Sequence, residues 1–220
     1  MPDLTCIAEF DRVALLALKP LGIPWLNSLA WAIASLSTFG FCFWLLAAVL
    51  WIRGRRPIAT QMALALVIAT ITTDIVKLLV HRPRPSAVIS TLSGINPHDL
   101  IADKFSFPSG HTTLAAAAAF SLLLNCRDWR ALIAVVATFI IALTRMYQGM
   151  HYPTDILGGV LIGVVSALIA RSTVRFTHRP TVIESEVHHS SKEHDQLVQD
   201  GDSSSPGLAG VQIQIELTDS

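Results

Sequence analysis

The sequence predicts an all-α integral membrane protein, a bundle of about five transmembrane helices with an N-terminal interfacial helix. Of its 220 residues, 52% are hydrophobic and only 15% are charged, and the mean hydropathy is +0.53. A soluble domain of this size has about a quarter of its residues charged, so the deficit indicates lipid as the solvent. Five apolar stretches approach the roughly 20 residues that a bilayer span needs. They are Trp25–Ile52, Ile58–Val80, His111–Cys126, Ala131–Tyr147 and Ile156–Ala170.

The two ends of the chain differ from these stretches. Leu4–Leu18 carries Glu9, Asp11 and Arg12 among apolar residues, which favours a helix lying on the membrane over a span. From Thr181 onward the apolar periodicity stops. Residues 181–220 hold eight of the sixteen acidic residues and one of the sixteen basic ones. We therefore expect a membrane domain over residues 1–180 and a disordered acidic tail over 181–220, which could bind a protein partner.

Closely spaced small residues indicate tight helix packing in the last predicted span. Gly159 and Gly163 are four residues apart, a spacing that lets two helix backbones approach closely. Packing within one subunit is the favoured interpretation, and dimerisation through this pair is the alternative.

The basic residues predict the orientation in the membrane. Five spans place the two chain ends on opposite sides, and residues 1–180 carry a net charge of +7. The side with the C-terminus has eight basic residues near the spans; the other has four once Lys77, Arg84 and Arg145 are assigned to a site. The positive-inside rule then places the 181–220 tail in the cytoplasm and the 81–110 loop outside the cell membrane.

Two segments near that outer side carry candidate anion-binding groups. Lys77 and Arg84 are seven residues apart at the end of the second span, and two helical turns would bring them to one face, although Pro83 and Pro85 must end the helix there. Ser109, Gly110 and His111 stand at the start of the third span, where free backbone N–H groups of a helix bind anions. Alone, the second segment is equally compatible with a simple helix cap.

A third segment, residues 144–155, supplies another histidine. His151 and Asp155 are four residues apart around a helix start marked by Pro153, so the carboxylate is expected to bond one ring nitrogen and leave the other bare. Arg145 lies near the end of the preceding span. A buried, purely structural His–Asp pair is the alternative for this segment alone.

Together the three segments predict a phosphate site. Lys77, Arg84 and Arg145 suit the non-bridging oxygens of a phosphoryl group, and two histidines supply a nucleophile and a proton donor. The three cysteines have no metal-ligand or redox spacing. We expect no metal, no cofactor and no nucleic-acid partner.

The three segments resemble the three-part signature of the type 2 phosphatidic acid phosphatase family, which is related to glucose-6-phosphatase and the vanadium haloperoxidases. The parts are KLLVHRPRP at 77–85, PSGH at 108–111 and RMYQGMHYPTD at 145–155. The likeness covers about residues 10–175. Thr144 stands where the family usually has serine, and its effect on activity is open.

The resemblance implies a role for each matching residue. His151 would attack phosphorus to form a phosphohistidine, Asp155 would orient it, and His111 would protonate the leaving oxygen. The remaining matching residues would hold the phosphoryl oxygens: Lys77, Arg84, Ser109, the Gly110 amide and Arg145. The resemblance calls for no metal.

Several functions fit this site. The favoured one is a lipid phosphatase or diphosphatase at the extracytoplasmic face, resembling bacterial undecaprenyl diphosphate phosphatases. Phosphatidylglycerophosphate or phosphatidic acid could be the substrate instead, and a lipid phosphotransferase would use the same site. A catalytically silent scaffold with a partner-binding tail is the non-enzyme alternative, and a vanadate-dependent oxidase ranks last.

Overall fold

The computed structural model describes residues 4–18, 24–36, 40–89, 105–126 and 128–177. Within them the chain forms eight helices: α1 (Leu4–Leu18), α2 (Pro24–Leu36), α3 (Phe41–Ile52), α4 (Arg56–Val80), α5 (Pro85–Val88), α6 (Gly110–Asn125), α7 (Trp129–Tyr147) and α8 (Pro153–Thr177). The all-α prediction is confirmed, and α1 has the predicted bounds. The 181–220 tail lies outside the described residues, so its disorder stays a prediction.

Not every predicted span is a single long helix. In the described residues α4, α7 and α8 are each long and apolar enough to cross a membrane. Ser28–Leu36 and Phe41–Ile52 pass the same test as a pair bent by 50°, so the first predicted span is divided. The third predicted span corresponds to α6, whose 16 residues form a helix about 24 Å long. The predicted count of about five therefore corresponds to three helices, or four with the bent pair, plus this shorter one.

The core forms where α4, α6 and α8 meet. Met62, Leu66, Ala117, Ala118 and Ala167 are buried there in one apolar cluster. Large apolar side chains on the outer surface are exposed instead: Ile71 is 55% exposed, Phe139 63% and Leu161 64%. Because a soluble monomer rarely exposes wide apolar patches, this distribution fits a bundle surrounded by lipid.

The two glycines of α8 lie against α6 of the same chain. A Cβ atom at Gly159 would stand 2.8 Å from the carbonyl oxygen of Ser109, and one at Gly163 would stand 2.5 Å from that of Thr113. Both distances are too short for a side chain. The intramolecular interpretation of this pair is therefore confirmed, and the close contact sets the distance between α6 and α8.

We expect Gly163→Ala to destabilise the protein by about 1–3 kcal/mol, because the added methyl group would overlap α6 backbone atoms that cannot move independently. Thermal unfolding of the purified protein in detergent measures the change. Leu161→Ala, at an exposed position of the same helix, is the control and should unfold near the wild-type temperature. Equal unfolding temperatures for Gly163→Ala and wild type would contradict the close packing.

Candidate active site

His151 lies in the short connection between α7 and α8. Gly149 adopts φ +66°, a conformation that glycine enters without strain, and so allows α7 to end and the chain to turn. His151 is 1% exposed, and its Nδ1 atom lies 2.7 Å from the Ser106 carbonyl oxygen. A carbonyl only accepts hydrogen bonds, so Nδ1 carries the proton. The lone pair is consequently on Nε2.

Asp155 stands beside this ring but is not its main hydrogen-bond partner. Its Oδ2 atom is 3.7 Å from Nδ1 of His151, beyond hydrogen-bond range. The same oxygen accepts from the Tyr152 backbone N–H at 2.8 Å, and Oδ1 accepts from Arg82 at 2.7 Å. The expected Asp155–His151 pair is present as an electrostatic contact rather than as a short hydrogen bond. The Ser106 carbonyl is the closer partner of the Nδ1 proton, and Asp155 acts on the ring chiefly through its charge.

Burial keeps the His151 ring neutral. It lowers the pKa of His151 to about 4, while the neighbouring Asp155 carboxylate opposes the shift and Arg145 and Arg84 add to it. An imidazole with a pKa near 4 is unprotonated at neutral pH. A nucleophilic nitrogen requires this state.

His111 lies in the first turn of α6 and faces the same site. Its Nε2 atom is buried and has no hydrogen-bond partner among the described residues. The ring interacts electrostatically with His151 and with Lys77, Arg84 and Arg145. A buried polar atom without a partner is costly, so Nε2 of His111 is suited to a ligand. The structure thus brings the two predicted histidines together.

The start of α6 supplies the neighbouring polar groups. Ser109 occupies the predicted N-cap position, but its side chain does not cap the helix; its Oγ lies 3.0 Å from Thr112 Oγ1. The Ser109 backbone N–H donates to the Asp155 carbonyl at 3.1 Å, which joins α6 to α8. A Cβ at Gly110 would be 3.9 Å from Nζ of Lys77. Lys77 therefore lies over the helix start.

The two predicted arginines are buried around the site. Arg84 and Arg145 are each 4% exposed. Arg84 contacts Met150 Sδ at 3.1 Å, and Arg145 donates to Gln148 Oε1 at 2.9 Å. With Lys77 they place three cations near His111, and like charges this close repel one another. An anion bound among them would offset that repulsion.

Three groups that support the site were not predicted from the sequence: the Ser106 carbonyl, Arg82 and Asp11. The Ser106 carbonyl binds His151, while the Ser106 N–H donates to the Arg82 carbonyl at 2.8 Å. The Arg82 side chain forms ion pairs with Asp155 at 2.7 Å and with Asp11 of α1 at 2.6 Å. A backbone carbonyl leaves no sequence signal. Arg82 and Asp11 each looked like ordinary charged residues near a membrane surface.

Thr144, the departure from the expected serine, points its hydroxyl at its own helix. Its Oγ1 donates to the Ile141 carbonyl at 2.7 Å. A serine hydroxyl can form the same bond. The substitution thus preserves this local contact.

Fold and site together define a membrane-embedded helical bundle with two histidines and three cations gathered at one end. Residues 58–179 match the PAP2 superfamily, and the chain belongs to that family. The resemblance seen in the three sequence segments is therefore confirmed.

Known proteins similar to this chain include two curated relatives and a crystal structure. The putative undecaprenyl-diphosphatase YbjG of Escherichia coli is 34% identical over 162 residues, which cover 72% of this chain and 78% of the relative. An undecaprenyl-diphosphatase of Sulfolobus acidocaldarius is 28% identical over 120 residues, or 53% of this chain and 55% of the relative, so the match spans about half of that protein. The crystal structure of Aquifex aeolicus LpxE superposes with a TM-score of 0.60 at 26% identity, covering 71% of this chain and 92% of that one.

Proposed function

We propose that the chain is a lipid phosphatase or diphosphatase that works through a phosphohistidine on His151. The observation that carries the proposal is the state of His151: its Nδ1 proton is held by the Ser106 carbonyl at 2.7 Å, which leaves a neutral ring with its lone pair on Nε2. His111 and the cations share the same site. Membership of the PAP2 superfamily and the likeness to YbjG support the assignment.

The first chemical step transfers the phosphoryl group to the enzyme. Nε2 of His151 attacks phosphorus as the bond to the lipid oxygen breaks, and His111, protonated beside the anionic substrate, gives its proton to that oxygen. The attacking ring gains positive charge, which the Ser106 carbonyl and the Asp155 carboxylate stabilise. Lipid alcohol or lipid phosphate leaves, and phosphate remains on His151.

The second step releases phosphate. A water molecule attacks the phosphohistidine, the P–N bond breaks, and His111 takes a proton from the water. Lys77, Arg84 and Arg145 hold the non-bridging oxygens in both steps, with Ser109 and the Gly110 amide at the helix start. These groups stabilise charge that shifts in each transition state.

The reaction is proposed to need no metal ion. In the part of the chain that the structure describes, no group of three or more His, Cys, Asp or Glu residues could hold one. Phosphate release should continue unchanged in EDTA and should stop with vanadate, which mimics the five-coordinate phosphoryl state. Strong inhibition by EDTA that added metal reverses would contradict this mechanism.

Undecaprenyl diphosphate is the proposed substrate, supported by the likeness to YbjG. Phosphatidylglycerophosphate and phosphatidic acid remain alternatives. Phosphate release from a panel of the three lipids by the purified chain ranks them by kcat/KM, and the highest value for undecaprenyl diphosphate would support the assignment. Transfer of phosphate to an added lipid alcohol in place of water would favour a phosphotransferase instead.

We further propose that the site faces the outside of the cell membrane and that the 181–220 tail lies in the cytoplasm, on the strength of the basic residues near the spans. Deletion of residues 181–220 should leave phosphate release intact. A scaffold protein would instead depend on the tail and show no turnover.

A further inference from the structure

Asp11 of the N-terminal helix is buried although its neighbours along the helix are exposed. Asp11 is 0% exposed, whereas the apolar residues Phe10 and Val13 are 58% and 57% exposed. Leu15, one turn further on, is buried with Asp11, so one face of α1 packs against α7 and α8. A buried carboxylate is stable only when it is paired. The hydrogen bonds of Asp11 therefore show how α1 contributes to the active site.

The Asp11 carboxylate accepts hydrogen bonds from Thr154, at the start of α8, and from Arg82. Oδ1 accepts from the Thr154 backbone N–H at 3.1 Å, and Oδ2 accepts from the Thr154 hydroxyl at 2.5 Å. Oδ2 also accepts from Arg82 at 2.6 Å. The first N–H groups of a helix have no partner within it, so Asp11 caps α8 from another helix, one residue from Asp155.

Arg82 is shared between two carboxylates. One guanidinium nitrogen, Nη2, binds Asp11, while Nη1 binds Asp155 and Thr154 Oγ1, both at 2.7 Å. The guanidinium also stacks 4.0 Å from the Tyr152 ring centroid. The Arg82 carbonyl holds the Ser106 N–H, and the Ser106 carbonyl holds His151. Arg82 therefore contacts both groups that hold the His151 ring, the Asp155 carboxylate directly and the Ser106 carbonyl through the Ser106 backbone.

We propose that Asp11 is a positioning residue for the phosphatase reaction, acting through Arg82 on Asp155 and His151. The inference rests on the proposed function. Two carboxylates around one guanidinium leave a net negative charge behind the His151 ring. That charge stabilises the cation that forms as the P–N bond is made. Without Asp11, Arg82 would pair with Asp155 alone and cancel its charge.

The test is Asp11→Asn, which keeps the side-chain shape and removes the charge. We expect kcat for lipid phosphate to fall about tenfold or more, the scale of a misaligned reacting group. KM should not change, because the cations that bind phosphate are untouched. Glu9→Gln, at a side chain 64% exposed on the same helix, should match wild type. An unchanged kcat in Asp11→Asn, or a raised KM alone, would overturn the proposal.

A double-mutant cycle shows whether Asp11 acts through Arg82. Arg82→Gln alone should lower kcat, because Asp155 loses the hydrogen bond that holds it beside His151. Asp11→Asn/Arg82→Gln should lower it no further, because Asp11 acts only through Arg82. Independent, multiplying losses would overturn the proposal. Unfolding in detergent checks that each variant is folded. If Asp11→Asn does not fold, Asp11→Ser replaces it; serine removes the charge but keeps an oxygen suited to a helix N-terminus, and the same kcat loss at constant KM is expected.

A spectroscopic readout separates this proposal from the proposed function. In protein whose histidines carry the nitrogen-15 isotope, nuclear magnetic resonance detects the Nδ1 signal of His151, which is identified by its loss in His151→Gln. We expect that signal to shift in Asp11→Asn and not in Glu9→Gln, whether or not the chain turns over lipid. A wild-type chain that releases no phosphate would defeat the proposed function only, whereas an unmoved Nδ1 signal would defeat the role of Asp11 only.

Discussion

His151→Gln should lower kcat for phosphate release by at least about 10⁴-fold, the scale seen when a catalytic nucleophile is removed. Glutamine can still donate to the Ser106 carbonyl and fill the buried space, but it has no lone pair that can attack phosphorus. The loss should be equally large for every phosphate ester, because no substrate can replace the missing nucleophile. Steady-state phosphate release by the purified variant measures it.

His81→Asn is the matched control for this prediction. His81 is exposed and packs edge-on against Phe105, with ring centroids 4.5 Å apart. Its backbone φ is 51°, a conformation that asparagine tolerates. We expect wild-type activity from His81→Asn. Substantial phosphate release by His151→Gln would remove the nucleophile assignment.

His111→Asn should lower kcat for lipid phosphates by about 10²–10⁴-fold, the usual contribution of a general acid. A lipid alkoxide is a poor leaving group and needs a proton as its bond to phosphorus breaks. An aryl phosphate with an acidic phenol leaves without one. We therefore expect a much smaller loss with p-nitrophenyl phosphate.

The comparison of the two substrates tests the division of roles between the histidines. His151→Gln should lose activity on both substrates alike, whereas His111→Asn should lose it mainly on the lipid. Equal losses in His111→Asn would show that His111 does not act as the proton donor. The same result would reassign the ring to phosphate binding, where the cations lie.

The helices could be predicted from the sequence because a bilayer restricts both the length and the composition of the segments that cross it. A span must be apolar and about 20 residues long, and four of the five predicted stretches each correspond to one helix. The exception is Trp25–Ile52, which is too long for one straight span. Instead α2 ends at Leu36 and α3 begins at Phe41, directly after Gly40, which adopts φ 68°. A continuous apolar run hides such a break, because composition carries no backbone angle.

The site shows what sequence spacing can and cannot reveal. The four-residue spacing correctly brought Asp155 near His151, because α8 begins at Pro153 and its first turn returns Asp155 to the ring at 3.7 Å. It could not reveal that the Ser106 carbonyl, 45 residues away, holds the ring. Nor could it show that Asp11 faces inward, because the arginine that pairs with it lies 71 residues further along the chain. Contacts between distant segments depend on the tertiary fold.

The stereochemistry at phosphorus shows directly whether a phosphohistidine forms. A lipid phosphorothioate, made chiral at phosphorus with oxygen isotopes and hydrolysed in isotopically distinct water, reports the number of displacements at phosphorus through the configuration of the released thiophosphate. Attack by His151 followed by attack by water inverts the configuration at phosphorus twice, so the proposed mechanism predicts net retention. Net inversion would mean that water attacks the substrate directly, and it would contradict the phosphohistidine.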